Sequence, residues 1–495
     1  MRVAPILILH SILSAGMILW VSGCVSALKE PPAAVQAELK DQKIETRLRA
    51  GIHERLKAGL GWGYVAAIRE DGKNAVFAAG KKTLEPASLF LDVDSVPVGS
   101  VSKVFTGFLL HLAEQEGRLK LNKTLGEVFP RLKKTDAGKI TLFDLGLHQS
   151  GLPRSLPSLR LKKDDPYADI QKEEVLRLLG EWKAPNIPGL KAPRVYSNWG
   201  YLVLGLVLEK VYGQSYSAIL QNKIFSPLGF ENASIHSEST KTRRRSRSHR
   251  SRVARASEGY SLAGDPLPEW SFKGFTAATG GVQASAADIQ LILAALESPG
   301  ESTLGKAIRL SMDSGIGWDS EPGHSLLWKS GATAGTRSIL LFDRSKKRGL
   351  FLETNAPLAT DSLAIYAAGL SAADTLVARI VTPRLATADE IAHLKGRYHV
   401  VSPSPALTGL VISETLGRIV GHYSFGSATA GVLLLPGAEF GSWNVAEGEL
   451  NIDKIRVSSP GDVTHLSLSI STGGLVTVYE LEKEPVKVEA YPAQE

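Results

Sequence analysis

Cysteine is all but missing from this chain: Cys24 is the only one in 495 residues, so no internal disulfide can form. Metal-ligand and phosphate-binding motifs are missing too, so no metal or other cofactor is implied. There is no Gly-x-Ser-x-Gly elbow, which removes support for an α/β-hydrolase architecture. Acidic residues are absent from Lys241 to Arg255, a segment holding seven arginines and one lysine. With those eight charges set aside the formal net charge falls from +7 to −1, so the high isoelectric point, near 9.2, belongs to one insert and not to the fold. So dense a like-charge run, interleaved with serine, reads as a solvated surface loop. Its Arg-Ser composition would suit RNA in a cytoplasmic protein, but the N-terminus argues for export and no nucleic acid is expected.

At that N-terminus, Arg2 precedes an apolar stretch from Val3 to Trp20 that is long enough to be mistaken for a membrane span. It runs directly into Val21-Ser22-Gly23-Cys24, which resembles a bacterial lipobox. That resemblance implies cleavage before Cys24 and lipid attached to it. Residues 1–23 would then be a lipoprotein signal peptide and residues 24–45 a tether. Several acyl chains anchor stably where one would be marginal, so an exported lipoprotein on a periplasm-facing membrane is expected. Val25, standing where an aspartate would signal inner-membrane retention, leans toward the outer membrane.

The chemistry concentrates at Ser100 and Lys103, in Val98-Gly99-Ser100-Val101-Ser102-Lys103. Positions i and i+3 share one face of a helix, so the lysine can reach the serine hydroxyl. A serine attacks a carbonyl only when a base takes its proton, and a lysine with a pKa of about 10.4 is almost never neutral at pH 7. Burial beside other cations must therefore lower that pKa. A second Ser-x-x-Lys, Ser26 to Lys29, lies in a polar, proline-bearing stretch with no apolar helix to bury it and is read as chance. Ser100 instead precedes Val104, Phe105, Phe108, Leu109, Leu110 and Leu112. Two further motifs follow in order: Tyr196-Ser197-Asn198 before the apolar run 202–208, and Lys329-Ser330-Gly331 before the strand-like run 338–342.

Together these motifs resemble the serine β-lactamase and penicillin-binding-protein superfamily, in its class C β-lactamase-related branch of DD-peptidases and esterases. Ser330 stands where threonine is commoner, and a hydroxyl is kept. The stretch from Ile140 to Pro153, together with Ser226 to Phe230, Glu258 to Tyr260 and Gly280 to Val282, is similar to that branch as well. The resemblance implies Ser100 as nucleophile, Lys103 and Tyr196 sharing proton transfers, and the backbone amides of Ser100 and Ala332 as oxyanion hole. It implies Asn198 for a substrate amide and Lys329 and Ser330 for a substrate carboxylate, with Tyr260 near substrate at the cleft rim. D-Ala-D-Ala cell-wall peptides are the expected substrate, because class C β-lactamases usually lack both the added residues 384–495 and a lipid anchor. A class C-like β-lactamase, a β-lactamase-fold esterase and a non-catalytic protein binding peptidoglycan or β-lactam stay open.

The fold expected is α/β (α+β): an antiparallel sheet flanked by a helical domain over residues 46–383, with 241–255 inserted. Helix over 44–56, strands over 64–69 and 74–79 around Asp71-Gly72-Lys73, a strand over 348–353 and a closing helix over 363–380 are expected. Residues 384–495 alternate apolar and polar, as in Leu466 to Ile470 and Val476 to Leu481 about a Gly473-Gly474 turn, and read as an all-β barrel-like or sandwich domain. The insert Arg243–Arg255 is expected to touch anionic envelope polymer, since arginine forks pair with phosphate and carboxylate. Replacing its arginines with serine should reduce cell-wall pull-down at low salt; unchanged retention would sink that role.

Overall fold

The computed structural model describes residues 43–57, 59–156, 165–184, 194–235, 259–261, 264–358, 360–369 and, with short breaks, 391–484. Cys24, the leader, the Arg/Ser-rich insert and the boundary near 383 lie outside the described residues. The first element, α1 (Ile44–Lys57), carries Ile44, Leu48 and Ile52 at helical spacing and buries all three. β1 (Gly63–Glu70) and β2 (Lys73–Thr83) form a hairpin whose two turn residues, Asp71 and Gly72, take φ of 52° and 70°. That is the backbone a two-residue hairpin turn requires, and Asp-Gly supplies it at little steric cost. β3 (Ser88–Leu89) extends the edge.

After the short β4 (Val96–Pro97), a single 3₁₀ turn (Gly99–Val101) leads into α2 (Ser102–Gln115). Every residue of α2 from Ser102 to Ala113 is buried, so this is a core helix on all faces. α3 (Asn198–Tyr212) has the same character, with Trp199 to Leu208 buried. The Ser197 hydroxyl starts it by accepting the Gly200 amide at 3.0 Å, and Gly213 ends it in the left-handed region. β5 (Ser234–Ile235) and β6 (Val282–Ala284) join β4 in a small three-stranded sheet. α4 (Ala286–Glu297) and α5 (Thr303–Ser314) follow, then β7 (Leu326–Thr333), β8 (Thr336–Asp343), β9 (Arg348–Thr354) and α6 (Asp361–Ala367). The closing helix expected over 363–380 is described only to Gly369.

The main sheet has six antiparallel strands in the order β3-β2-β1-β9-β8-β7, so the unit closes where β1 pairs with β9. Side chains alternate between its faces. Ala66, Ile68, Leu341, Leu350 and Leu352 pack against α1 and α6, while Val65, Ala67, Leu340, Phe342 and Phe351 face the larger core around α2 and α3. Downstream, β10 (Gly396–Val400), β11 (Gly409–Thr415), β12 (Arg418–Phe425), β13 (Ala428–Pro436), β14 (Ser442–Gly448), β15 (Ile452–Ser459), β16 (Asp462–Thr472) and β17 (Leu475–Lys483) form a sequential antiparallel barrel, closed by β10 pairing with β17. Tyr398, Leu410, Ile412, Leu466 and Leu481 are buried in it. Val420 packs with Leu60, Ala356 and Leu358 of the first unit.

Among the described residues, one buried carboxyl is left without a hydrogen-bond partner. Glu353 of β9 sits opposite Val65 and Ser338, fully buried at 0% exposure, and neither carboxyl oxygen has a hydrogen-bond partner. Burial pushes its pKa well above the ordinary carboxyl value, so the folded state holds a proton that the unfolded chain releases near pH 4.3 or so. Stability is thus lost as pH rises from the unfolded pKa toward the folded one. Glu353→Met should raise the thermal midpoint of the first unit at pH 8 more than at pH 4, by about 1–3 kcal/mol in stability, measured by calorimetry at both pH values.

Candidate active site

Ser100 lies in the 3₁₀ turn ahead of α2, pressed against β7, one of the two edge strands of the main sheet. Two glycines make that approach possible. Gly99 has φ 54°, and a methyl group on it would stand 2.6 Å from the Ala332 amide nitrogen. One on Gly331 would stand 2.3 Å from the Val98 carbonyl and 3.1 Å from the Ser100 nitrogen. Any larger residue would pry the turn off the strand. The two amides expected to hold an oxyanion therefore come together at this junction, beside the nucleophile.

Lys103 begins α2 fully buried and donates to three acceptors: Ser100 Oγ at 3.1 Å, Asn198 Oδ1 at 2.9 Å and the Thr279 carbonyl at 2.6 Å. Tyr196 donates its hydroxyl to the same Ser100 oxygen at 2.8 Å. The Ser100 hydroxyl is thus bracketed by an amine from α2 and a phenol from the segment just ahead of α3. Burial lowers the Lys103 pKa to about 8, with the Lys329 and Arg154 charges adding to it and Tyr196 opposing. For Tyr196, burial pushes the pKa up, but the Lys103 and Lys329 charges outweigh it and bring the phenol down to about 8. The ammonium groups of Lys103 and Lys329 lie 5.0 and 4.6 Å from its ring centroid.

His148 holds that phenol in place. Its ring packs on Tyr196 and Tyr201, centroids 4.5 and 5.0 Å away, and its Nδ1 accepts the Ser197 amide at 3.0 Å. An accepting Nδ1 puts the proton of the neutral ring on Nε2. Burial, reinforced by Lys329 and Lys103, drives its pKa far below the usual value, so the ring stays neutral and adds no charge beside Tyr196. Arg154, on the other hand, brings its guanidinium 5.0 Å from the Tyr196 centroid.

Lys329 and Ser330 arrive on β7 as the sequence expects, but they are already engaged. Lys329 Nζ is 2.5 Å from Asp319 Oδ1, while the Ser330 amide and hydroxyl both donate to Asp319 Oδ2 at 3.2 Å. Tyr260 departs further from expectation. It is buried at 2% exposure, its hydroxyl accepts the Leu84 amide at 3.1 Å and its own amide donates to the Asn355 carbonyl. A methyl group on Gly259 would stand 2.0 Å from the Ala334 carbonyl, so this segment is clamped along the β7–β8 turn and its tyrosine braces the wall of the cleft from inside.

A family model described as β-lactamase matches residues 52–373, well over half of the chain. The chain belongs to the β-lactamase family. It is 28% identical over 174 residues to a β-lactamase of Providencia stuartii, covering 35% of this chain and 42% of that protein. It is 31% identical over 185 residues to a teichoic acid D-alanine hydrolase of Staphylococcus aureus, covering 37% of this chain and 39% of that protein. These matches span about two fifths of each curated relative. Solved structures share the fold: the D-alanine carboxypeptidase AmpC of Burkholderia cenocepacia, with TM-score 0.54, 19% identity, and coverage of 66% of this chain and 98% of that one, and a class C β-lactamase of Rhodobacter sphaeroides, with TM-score 0.53, 21% identity, and coverage of 68% and 99%.

In this member of the β-lactamase family, three residues of the candidate site are ones that motif reading missed. His148 was inside the segment 140–153 and marked only by position, while Arg154 and Asp319 carry no local signal, because each acquires its role from a neighbour that only the fold brings to it. Lys103 and Tyr196 beside Ser100 are both brought to about 8, so kcat/KM for acylation should rise with pH through a midpoint at about 8 and level off above it. Lys329→Met should move that midpoint upward, since both Lys103 and Tyr196 lose a lowering charge. Tyr196→Phe should slow acylation by about 10²–10⁴, read by stopped-flow with a chromogenic acyl donor.

Proposed function

We propose that this chain is an envelope-anchored hydrolase of D-alanyl bonds working through an acyl-enzyme on Ser100, with D-Ala-D-Ala cell-wall peptides the expected substrates. The observation that carries this reading is Ser100 Oγ held between Lys103 Nζ at 3.1 Å and Tyr196 Oη at 2.8 Å. In the first step the Ser100 proton passes to the Lys103–Tyr196 pair, a bond forms from Oγ to the carbonyl carbon, and the bond to the leaving nitrogen or oxygen breaks as that atom takes the proton. Water then repeats the sequence in reverse, releasing the acid and returning the proton to Ser100. Amides of Ser100 and Ala332 stabilise the oxyanion in both steps, each contributing about 3 kcal/mol. Asn198, held by Lys103, is left with its amide nitrogen for the acyl chain. Lipid on Cys24 would keep the enzyme at the envelope, within reach of such polymer.

A second reading, a β-lactamase, uses the same acylation and differs in how fast water removes the acyl group; the Providencia stuartii relative bears that name. Incubation with a fluorescent penicillin separates the two. A long-lived adduct at Ser100 is expected for the peptidase, and rapid loss with turnover for the lactamase. No adduct, together with Ser100→Ala indistinguishable from wild type on D-Ala-D-Ala peptide, β-lactam and ester substrates, would falsify the acyl-enzyme reading and leave a binding protein.

A further inference from the structure

The cation and hydroxyl expected to receive a substrate carboxylate are filled by a carboxylate of the protein itself. Asp319 takes the Lys329 ammonium with one oxygen and the Ser330 amide and hydroxyl with the other, an arrangement a bound substrate carboxylate would have to reproduce. Lys329 is left with a side chain 1% exposed and Asp319 with one 12% exposed, so the pair sits at the cleft wall with the aspartate on its outer side. Nothing about the loop is loose. The Asp319 amide donates to the Trp328 carbonyl at 2.9 Å, which lays the loop along the outer edge of β7. Arg194, two residues before Tyr196, donates to the Trp318 and Asp319 carbonyls and pairs with Glu321 at 2.7 Å. The backbone that delivers Tyr196 is thereby latched to the backbone that delivers Asp319.

We propose that Asp319 is an internal occupant of the carboxylate subsite and a specificity-determining residue: the enzyme selects acyl donors with no carboxylate next to the scissile bond, namely D-alanyl esters of uncharged alcohols. A substrate carboxylate would have to displace a formed ion pair and two hydrogen bonds, then lie against the displaced negative charge. A neutral leaving group meets neither obstacle. This rests on the acyl-enzyme reading above and keeps its D-alanyl acyl group, but it replaces the carboxylate-bearing D-alanine leaving group of a cell-wall peptide with an uncharged alcohol.

The test uses the whole protein and two depsipeptides with the same acyl-D-alanyl group and the same scissile ester, one ending in a free carboxylate and the other in its methyl ester. Wild type is expected to cleave the methyl ester with kcat/KM at least equal to that of the carboxylate form. In Asp319→Asn, which keeps the shape and removes the charge, the ratio of carboxylate to methyl-ester kcat/KM should rise by about tenfold or more. Wild type favouring the carboxylate form by tenfold would overturn the proposal with no variant needed. An unchanged ratio in Asp319→Asn would also overturn it, leaving Asp319 a mere brace for Lys329. Turnover of neither substrate by wild type would instead remove the acyl-enzyme reading on which it stands, and the proposal with it.

Discussion

Everything at the cleft depends on an ammonium group placed where water cannot reach it. Lys103 is fully buried and its three donors are spent on a serine hydroxyl, an amide oxygen and a backbone carbonyl. A charge so enclosed is tolerable only because every donor is satisfied, and it is useful only because enclosure still brings its pKa to about 8. Each of the three acceptors comes from a different part of the chain: the turn before α2, the start of α3, and the Gly274–Thr279 segment ahead of β6. One lysine thus ties together the elements that form the cleft, and the packing of α2 and α3 into the larger core holds its surroundings dry.

Around that lysine the electrostatics are arranged in layers. Lys103, Lys329 and Arg154 all lie within about 5 Å of the Tyr196 ring, and the two lysines bring the phenol down to about 8 despite its burial. His148 could have spoiled this by joining as a fourth cation, but burial and those same charges keep it neutral and it acts as a packing surface. Asp319 works in the opposite sense, raising the Tyr196 pKa while it occupies Lys329. The site is therefore balanced between cations that make a phenolate accessible and one anion that restrains them. Glu353 shows what burial does without such balance: a carboxyl with no partner, held neutral by its surroundings.

Much of this could be read before any coordinates. The hairpin at Asp71-Gly72 follows from turn chemistry, α1 and α2 follow from apolar spacing, and the C-terminal strands follow from alternation, all of which are local properties. The ordered motifs around Ser100, Tyr196 and Lys329 were legible for the same reason, since each is a short string with its own element attached. The packing of Tyr260 was not legible, because a tyrosine beside a glycine carries no information about which way its ring turns; the clamp of Gly259 on Ala334 and the Leu84 amide fix it. Whether the barrel closes was also beyond local pattern, because closure is a pairing between β10 and β17, at opposite ends of that domain.

The sequence by itself determined the candidate nucleophile, its lysine and tyrosine neighbours, the family and the order of the elements, because these rest on residue types at short spacing and on periodicity. Tertiary structure alone decided what each charge faces. Lys329 and Asp319 are ten residues apart with a turn and a strand edge between them, and only the return of the chain along β7 brings their charges to 2.5 Å. Coulomb energy depends on distance and burial, neither of which is written in a string of residues. For that reason the candidate reacting groups could be named from the sequence, while their shifted pKa values and the anion that engages Lys329 and Ser330 could not.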